Sequence, residues 1–484
     1  MIYEPKKKSL KKHKVPEWFH DAKFGIFIHW GLYSVPAFAI TGIDIKENVR
    51  QHGMAGQFKE SCYAEWYLNS LRIGNNSTSK YHNEKYGEEF SYDEFIPIFN
   101  EAIKNWNPEE MAELFKNIGA KYVVLVTKHH DGFLLWPSKY PNPKKEKYMA
   151  SRNIVAELTE AVRKKGLKMG FYYSGTLDWS FNPEPIKDVI SFIVNGVTEQ
   201  EYIEYVNHHW YELIDEYEPV ILWNDIGYPP GASINELFAY YYSKIPEGVI
   251  NDRWLQLPKW VRKILKLWPW KQILTWAVNR AFLKGSAGMP VNYHCDFLTP
   301  EYGVFEGISE KKWEQTRGIG KSFGYNQFET EEDHLSEKEL IHEFVDLVSK
   351  NGNLLLNVGP MADGTIPEIQ KKRLIWLGEW LKINGEAIYG TRPWYKAEGK
   401  TSAGTEIRYT SKKDMLYAIL LGKPANEKIV IPNLALSSIV NVSLLGLDQI
   451  LDWERDDDSL NVSIPKDLKK SQAYSLKIAL TPKE

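Results

Sequence analysis

Two cysteines in 484 residues, Cys62 and Cys295, cannot build a disulfide framework, and a reducing compartment, the cytoplasm, is the expectation. No run reaches 18 apolar residues, so no apolar membrane-spanning helix is read. The basic N-terminus, MIYEPKKKSLKKHKVPEWF, lacks the apolar stretch of a secretory leader and reads as a solvated arm. Charge of one sign is also missing: the net charge is −3, and nothing in it asks for nucleic acid. No G-x-G-x-x-G follows the first strand-like run, which weakens an open dinucleotide-binding sheet. Neither H-x-H nor H-E-x-x-H occurs, so no metal and no cofactor is expected.

Aromatic residues are plentiful at 14%, with 18 Trp and 28 Tyr. Their flat apolar faces either fill a large core or stack on the C–H faces of sugars. Short apolar runs alternate with longer helical patterns. KFGIFIHWG (23–31), AKYVVLVTKHH (120–130), LKMGFYYSG (167–175), PVILWND (219–225), GVINDR (248–253) and NLLLNVGP (353–360) read as strands. NPEEMAELFKNIG (107–119) predicts a helix capped by Asn107, opened by Pro108 and closed by Gly119. NIVAELTEAVRKKG (153–166) predicts another that stops at Gly166. Strands apolar on both faces between amphipathic helices imply a parallel sheet, and this many units imply a (β/α)8-like barrel over residues 1–390. The strand pattern blurs between 296 and 330. From about 391 to 484, β-type runs broken by Gly, Pro and Asn predict an antiparallel β-sandwich.

One segment, near 255–292, stands apart. Between Asp252 and Asp296 no acidic residue occurs, but basic ones from Arg253 to Lys284 do, interleaved with Trp260, Trp268, Trp270 and Trp276. Lys259, Lys263 and Lys266 follow helical spacing beside Trp260, Ile264 and Leu267. Such a helix docks on protein as a lid or an oligomer contact, or, as a secondary reading, lies on a membrane surface through residues 258–284.

In a barrel of this kind the chemistry sits at the C-terminal ends of the strands. The polar residues there are His29 and Trp30, then His129, His130 and Asp131, then Tyr172 and Tyr173. Further along come Trp223, Asn224 and Asp225, then Asp252 and Arg253, and last Asn357. Adjacent strand residues point to opposite faces, so His129 and His130 share one ligand only if the strand ends there. Asp225 leaves an apolar strand directly, which suits a nucleophile toward an anomeric carbon or, more plainly, a cap or ion pair. Sugar chemistry then needs a second, protonated carboxyl. Glu65, Glu301 and Glu306 are the candidates, and spacing does not choose among them.

The motifs EWFHDAKFGIFIHWGLYSVPAF, AEWY, GAKYVVLVTKHHDGFLLWPS, GFYYSGTLDW, LWNDIG, NDRW, WEQTRGIGKSFGYN and NGNLLLNVGPMADGTIP occur in order over residues 15–395. This series resembles the α-L-fucosidases of glycoside hydrolase family 29. The resemblance implies a barrel followed by a β-sandwich, often in a homo-oligomer, that hydrolyses terminal α-L-fucosides with retention. It implies Asp225 as nucleophile and, through TPEY, Glu301 as acid/base. It places fucose against His29, Glu65, Trp66, His129, His130, Tyr172, Trp223 and Arg253. The departure is the cationic segment: about 40 residues separate NDRW from DFLTPEY, where the family has a few. The segment therefore falls beside the acid/base and can reshape the side of the pocket that takes the aglycone. Two other readings stay open: a non-catalytic carbohydrate-binding barrel, and a metal-dependent barrel hydrolase.

Overall fold

Capping sets the helix boundaries where the sequence placed them. In the computed structural model, which describes residues 3–283, 293–434, 436, 438–447, 449–456 and 458–481, the Asn107 side chain accepts the Glu109 N–H at 3.1 Å and starts helix Pro108–Asn117. Asn153 accepts the Ala156 N–H at 3.0 Å and starts Ile154–Lys164. Each helix hands the chain to a fully or almost fully buried strand.

Those strands are β1 (Phe24–Ile28), β2 (Tyr122–Lys128), β3 (Lys168–Ser174), β4 (Ile221–Asp225), β5 (Val249–Ile250), β6 (Trp313–Gly318) and β7 (Gly352–Val358). They form one curled parallel sheet in the order β5-β4-β3-β2-β1-β7-β6. The gap between β5 and β6 is filled by the extended segment 296–302. Its Asp296 N–H donates to the Ile250 carbonyl at 2.8 Å, and on the other side Leu298 and Tyr302 donate to Lys312 and Thr316, both at 3.1 Å. The eighth position of the barrel is thus held by a segment too irregular to count as a strand, and it carries Glu301. Inside, Phe27, Tyr122, Val126, Tyr172, Trp223 and Leu355 pack as one cluster.

The C-terminal unit begins with strand Arg392–Lys400. A five-stranded antiparallel sheet, ordered 439–444, 474–480, 415–420, 406–412, 392–400, faces a three-stranded one of 428–431, 459–463 and 453–456. The Trp380 indole donates to the Ala473 carbonyl at 3.0 Å and ties this unit to the last barrel helix, Glu368–Asn384.

Two expectations change. The N-terminal lysines are exposed, but the arm is docked rather than loose: Leu10 is fully buried, and His13 bonds Asp296 at 3.0 Å. His13, His294 and Asp296 form the one cluster among the described residues with metal-ligand spacing. It lies outside the cavity described below, and Tyr242 hydrogen-bonds both Asp296 (2.7 Å) and His294 (2.9 Å). Trp30 does not reach the barrel mouth. It is buried against Phe99 and Trp106.

Candidate active site

The ten residues that the family resemblance assigns to catalysis and sugar binding all line a single cavity of about 460 Å³ at the C-terminal ends of the strands. Glu306 is exposed and takes no part, which removes one of the three candidate carboxyls.

At the centre stands Arg253, just after β5. Its Nη1 donates to Asp225 Oδ1 at 3.0 Å and to Glu301 Oε1 at 2.6 Å. Both oxygens touch the same nitrogen, so they lie at most 5.6 Å apart. Arg253 is itself fixed: Nε donates to Thr299 Oγ1 and Nη2 to the Thr299 carbonyl, each at 2.9 Å, and the guanidinium lies 4.7 Å from the Trp223 ring centre. Asp225 Oδ2 accepts the Tyr172 hydroxyl at 2.9 Å. Burial pushes the Asp225 carboxyl up, but the charge of Arg253 and the bonds from Arg253 and Tyr172 outweigh it. The group ends below its ordinary value, ionised at neutral pH. Glu301 is the more open of the two, with its side chain 31% exposed against 11% for Asp225.

The histidines are held as neutral rings. His29 Nδ1 meets Asn357 Oδ1 at 2.6 Å, and the Asn357 amide nitrogen donates to the Phe323 carbonyl at 2.6 Å. This fixes the proton on His29 Nδ1 and leaves Nε2 as an acceptor. His130 follows the same logic. The Ser174 hydroxyl donates to the Leu177 carbonyl at 2.6 Å, so its oxygen accepts from His130 Nδ1 at 2.7 Å. Burial lowers His29 to about 3 and His130 to about 4. His129, lowered mainly by burial and then by His130, has a buried Nδ1 with no hydrogen-bond partner among the described residues.

The sequence required the strand to break if both histidines were to face one ligand. β2 ends at Lys128, the pairing with β3 shifts between Val126 and Lys128, and His129 accepts the Gly132 N–H at 3.1 Å in a tight turn. Gly132 sits at φ +83°, and a Cβ there would fall 2.4 Å from Asp178 Oδ1. The flanking charges are structural. Lys128 is fully buried on Asp178 at 2.7 Å, and Asp131 accepts from Tyr92 at 2.9 Å.

Glu65 comes from a short 3-10 turn, Ala64–Trp66, and accepts the Gly324 N–H at 2.8 Å. Gly324 permits this approach, since a Cβ would lie 3.1 Å from Glu65 N. Burial pushes the Glu65 carboxyl up to about 7 despite that bond. Trp66 meets His130 edge-on at 5.3 Å.

The outer half of the cavity was legible in the sequence only through the cationic segment. It is built by helices Ile45–Lys59, Val189–Val194 and Trp270–Leu283. The last belongs to the cationic segment, which therefore docks on protein. Arg262, its one buried cation among the described residues, donates to the Gly196 carbonyl at 2.5 Å, and Lys271 pairs with Asp188 at 3.2 Å. The segment thus grips Val189–Val194 at both ends. Asn279 Oδ1 accepts the Met54 N–H at 3.3 Å and joins it to Ile45–Lys59. Lys284, the last cation counted in the segment, lies outside the described residues. Trp260, Trp268, Trp270 and Trp276 face outward, all exposed.

A barrel whose mouth gathers three carboxyl groups, three neutral imidazoles and tryptophan walls is that of a glycoside hydrolase. Family models confirm the class: one described as alpha-L-fucosidase matches residues 1–386, and one for the alpha-L-fucosidase C-terminal domain matches 400–479. Human tissue alpha-L-fucosidase is 33% identical over 476 residues, covering 96% of this chain and 88% of that one. The solved Thermotoga maritima alpha-fucosidase in complex with fucose is 42% identical, covers 99% of this chain and 100% of its own, and superposes with a TM-score of 0.82. A Thermotoga maritima structure described as an alpha-L-fucosynthase, carrying an aspartate-to-glycine change, is 43% identical over 99% of each chain, with a TM-score of 0.84. The chain belongs to the α-L-fucosidase family and is a glycoside hydrolase with fucosidase activity.

Proposed function

We propose that this chain removes terminal α-L-fucose with retention of configuration, with Asp225 as nucleophile and Glu301 as acid/base. The observation that carries this reading is the Arg253 nitrogen shared by Asp225 and Glu301. Carboxyl oxygens no more than 5.6 Å apart fit the separation of about 5–5.5 Å used by retaining enzymes, and leave no room for the water an inverting pair must hold. Glu65 has no such link to Asp225. It is anchored to Gly324 and is read as a sugar-hydroxyl ligand.

In the first step an Asp225 oxygen attacks C1 of fucose. Glu301, protonated, gives its proton to the glycosidic oxygen, the C1–O bond breaks, and the aglycone leaves as an alcohol. In the second, Glu301 takes a proton from water, the water oxygen attacks C1, and Asp225 is released as carboxylate. Asp225 suits attack because it is already ionised and lies deeper. Glu301 suits proton exchange because it faces the opening. His29 and His130 present Nε2 acceptors to sugar hydroxyls, and Trp66 and Trp223 form apolar wall for the ring face and methyl group. The relative described as an α-L-fucosynthase carries an aspartate-to-glycine change, which fits a reading in which an aspartate is the nucleophile.

The test uses p-nitrophenyl α-L-fucoside. Asp225→Gly is expected to lose on the order of 10⁴–10⁶-fold in kcat, as when other nucleophiles are removed. Azide should restore turnover and give the inverted β-fucosyl azide. Near-wild-type activity would sink the nucleophile assignment. With the unaltered enzyme, β-fucose as the first-formed anomer by proton NMR would sink retention. Fucose binding without turnover would return the carbohydrate-binding reading.

A further inference from the structure

The cavity changes character along its depth. Its floor holds the carboxylates, the histidines and Arg253. Above them, helix Ile45–Lys59 contributes Ile45, Met54 and Phe58. Helix Val189–Val194 adds Val189, Phe192 and Ile193, and helix Trp270–Leu283 adds Leu274, Ala277 and Val278. The spacing of 274, 277 and 278 is the i, i+3, i+4 stripe of one helical face, so the roof turns a continuous apolar surface inward. Among the described residues of these three helices, Gln57 is the only polar side chain lining the cavity. Its amide is already occupied, accepting from Asn48 at 2.7 Å and facing Cys62 Sγ at 3.5 Å.

This apolar part joins the reaction centre directly. Phe58 and Phe192 stack at 5.6 Å, and Trp66, a wall of the sugar site, lies 5.4 Å from Phe58. Lys46, on the same helix as Phe58, donates to the Tyr302 carbonyl at 2.8 Å, next in chain to Glu301. The helix that carries Phe58 thus also touches the segment that carries the acid/base, so the apolar surface borders the place where a leaving group must sit.

Against these three helices the hydroxyls of a second sugar unit would lose water without gaining a free side-chain partner, at a cost of about 1–3 kcal/mol for each unsatisfied group; the unpaired Tyr63 and Thr316 hydroxyls of the same cavity belong to other elements. An alkyl or aryl group gains by burial instead. Resting on the fucosidase reading above, we infer that the leaving-group site selects an apolar aglycone, an alkyl chain or aromatic ring, over an oligosaccharide, with Phe58, Phe192, Leu274 and Val278 as its specificity-determining residues.

The experiment compares kcat/KM for methyl, butyl, hexyl and octyl α-L-fucosides, whose leaving alcohols differ little in acidity, together with benzyl α-L-fucoside and a fucosyl-galactose disaccharide. The unaltered enzyme should gain roughly two- to fourfold per methylene while the chain stays inside the cavity, and should prefer octyl or benzyl fucoside to the disaccharide. Benzyl against octyl tells whether a ring or a chain is the better fit. In Leu274→Ser/Val278→Ser the octyl-to-methyl ratio, taken within the variant, should fall at least tenfold. If that protein does not fold, Leu274→Ala/Val278→Ala should lower the ratio by a smaller factor. A flat alkyl series, or a disaccharide preferred to both apolar substrates, overturns the inference while leaving fucoside hydrolysis intact. No turnover of any fucoside would instead overturn the reading on which it rests.

Discussion

The floor of the pocket draws its side chains from strand ends scattered between His29 and Asn357, and almost every one is locked by a buried bond to another element. The roof draws on three helices, and the part contributed by the cationic segment is held by a few polar ties to its neighbours. Position must be exact to within a hydrogen bond where bonds are made and broken, so the floor is over-determined. A leaving-group site needs only shape and polarity, so the roof tolerates a looser attachment. Damage to the floor should abolish chemistry, and damage to the roof should retune it.

The largest effects therefore belong to the floor. Beyond the loss at Asp225, Glu301→Gly should cost roughly 10²–10⁴-fold on alkyl fucosides, the usual contribution of a general acid. The loss should be smaller for p-nitrophenyl fucoside, whose leaving group needs little help. Azide should give the retained α-fucosyl azide, the opposite anomer from Asp225→Gly. An equal loss on both substrates, with no azide product, would hand the role to Glu65. A smaller effect follows from Arg253→Lys. Arg253 is the main charge holding Asp225 below its ordinary value against the upward push of burial. A lysine keeps one charge but not the fork, so the Asp225 carboxyl should rise. Nucleophilic activity is present above that pKa and lost as pH falls through it. The acid limb of kcat/KM, expected below the ordinary aspartate range in the unaltered enzyme, should move to higher pH in the variant. An unmoved limb would mean that the floor is less tightly coupled than its geometry implies.

The sequence was most informative where one residue does one visible thing. Apolar runs revealed β1 to β4 and β7, since strands buried on both faces show no alternation to confuse with a surface strand. Asn107, Asn153 and their glycines announced their helices. β6 stayed hidden because the buried residues after Trp313 are mostly polar. Glu314 accepts from Tyr122 at 2.5 Å and from Trp223 at 3.2 Å, and Gln315 donates to Glu343 at 2.7 Å, so WEQTRG reads as a loop. The segment 296–302 stayed hidden because it pairs without forming a regular strand. Of the site, the floor was legible through its motifs. Asn357 was seen as a strand end, but its role in fixing the His29 proton needed the partner at Phe323. The roof was legible only as a segment beside the acid/base. Its lysines and tryptophans mark the outer face, while Leu274, Ala277 and Val278, the stripe facing the cavity, carry no chemistry of their own that a sequence could show.

Arg262 offers the sharpest test of the looser roof. It is the cation of the segment that burial singles out, and it holds carbonyls at the end of helix Val189–Val194, Gly196 at 2.5 Å and Val194 at 3.4 Å, while its Nε donates to Leu257 at 3.1 Å. Arg262→Ala leaves those carbonyls short of a donor, a local penalty of about 1–3 kcal/mol. Because the roof is joined to the barrel by few other polar ties, the penalty should appear as local opening rather than global unfolding. Limited proteolysis within 258–283 should quicken by roughly five- to 150-fold, the same free energy expressed as a population. The melting transition should shift by only a few degrees, and the octyl-to-methyl fucoside ratio should fall a few-fold. Arg262→Lys should restore part of each change, since an ammonium still reaches one carbonyl. A variant that melts much earlier yet shows no added cleavage in 258–283 would mean that roof and floor unfold as one unit, and the contrast between them would be one of chemistry alone.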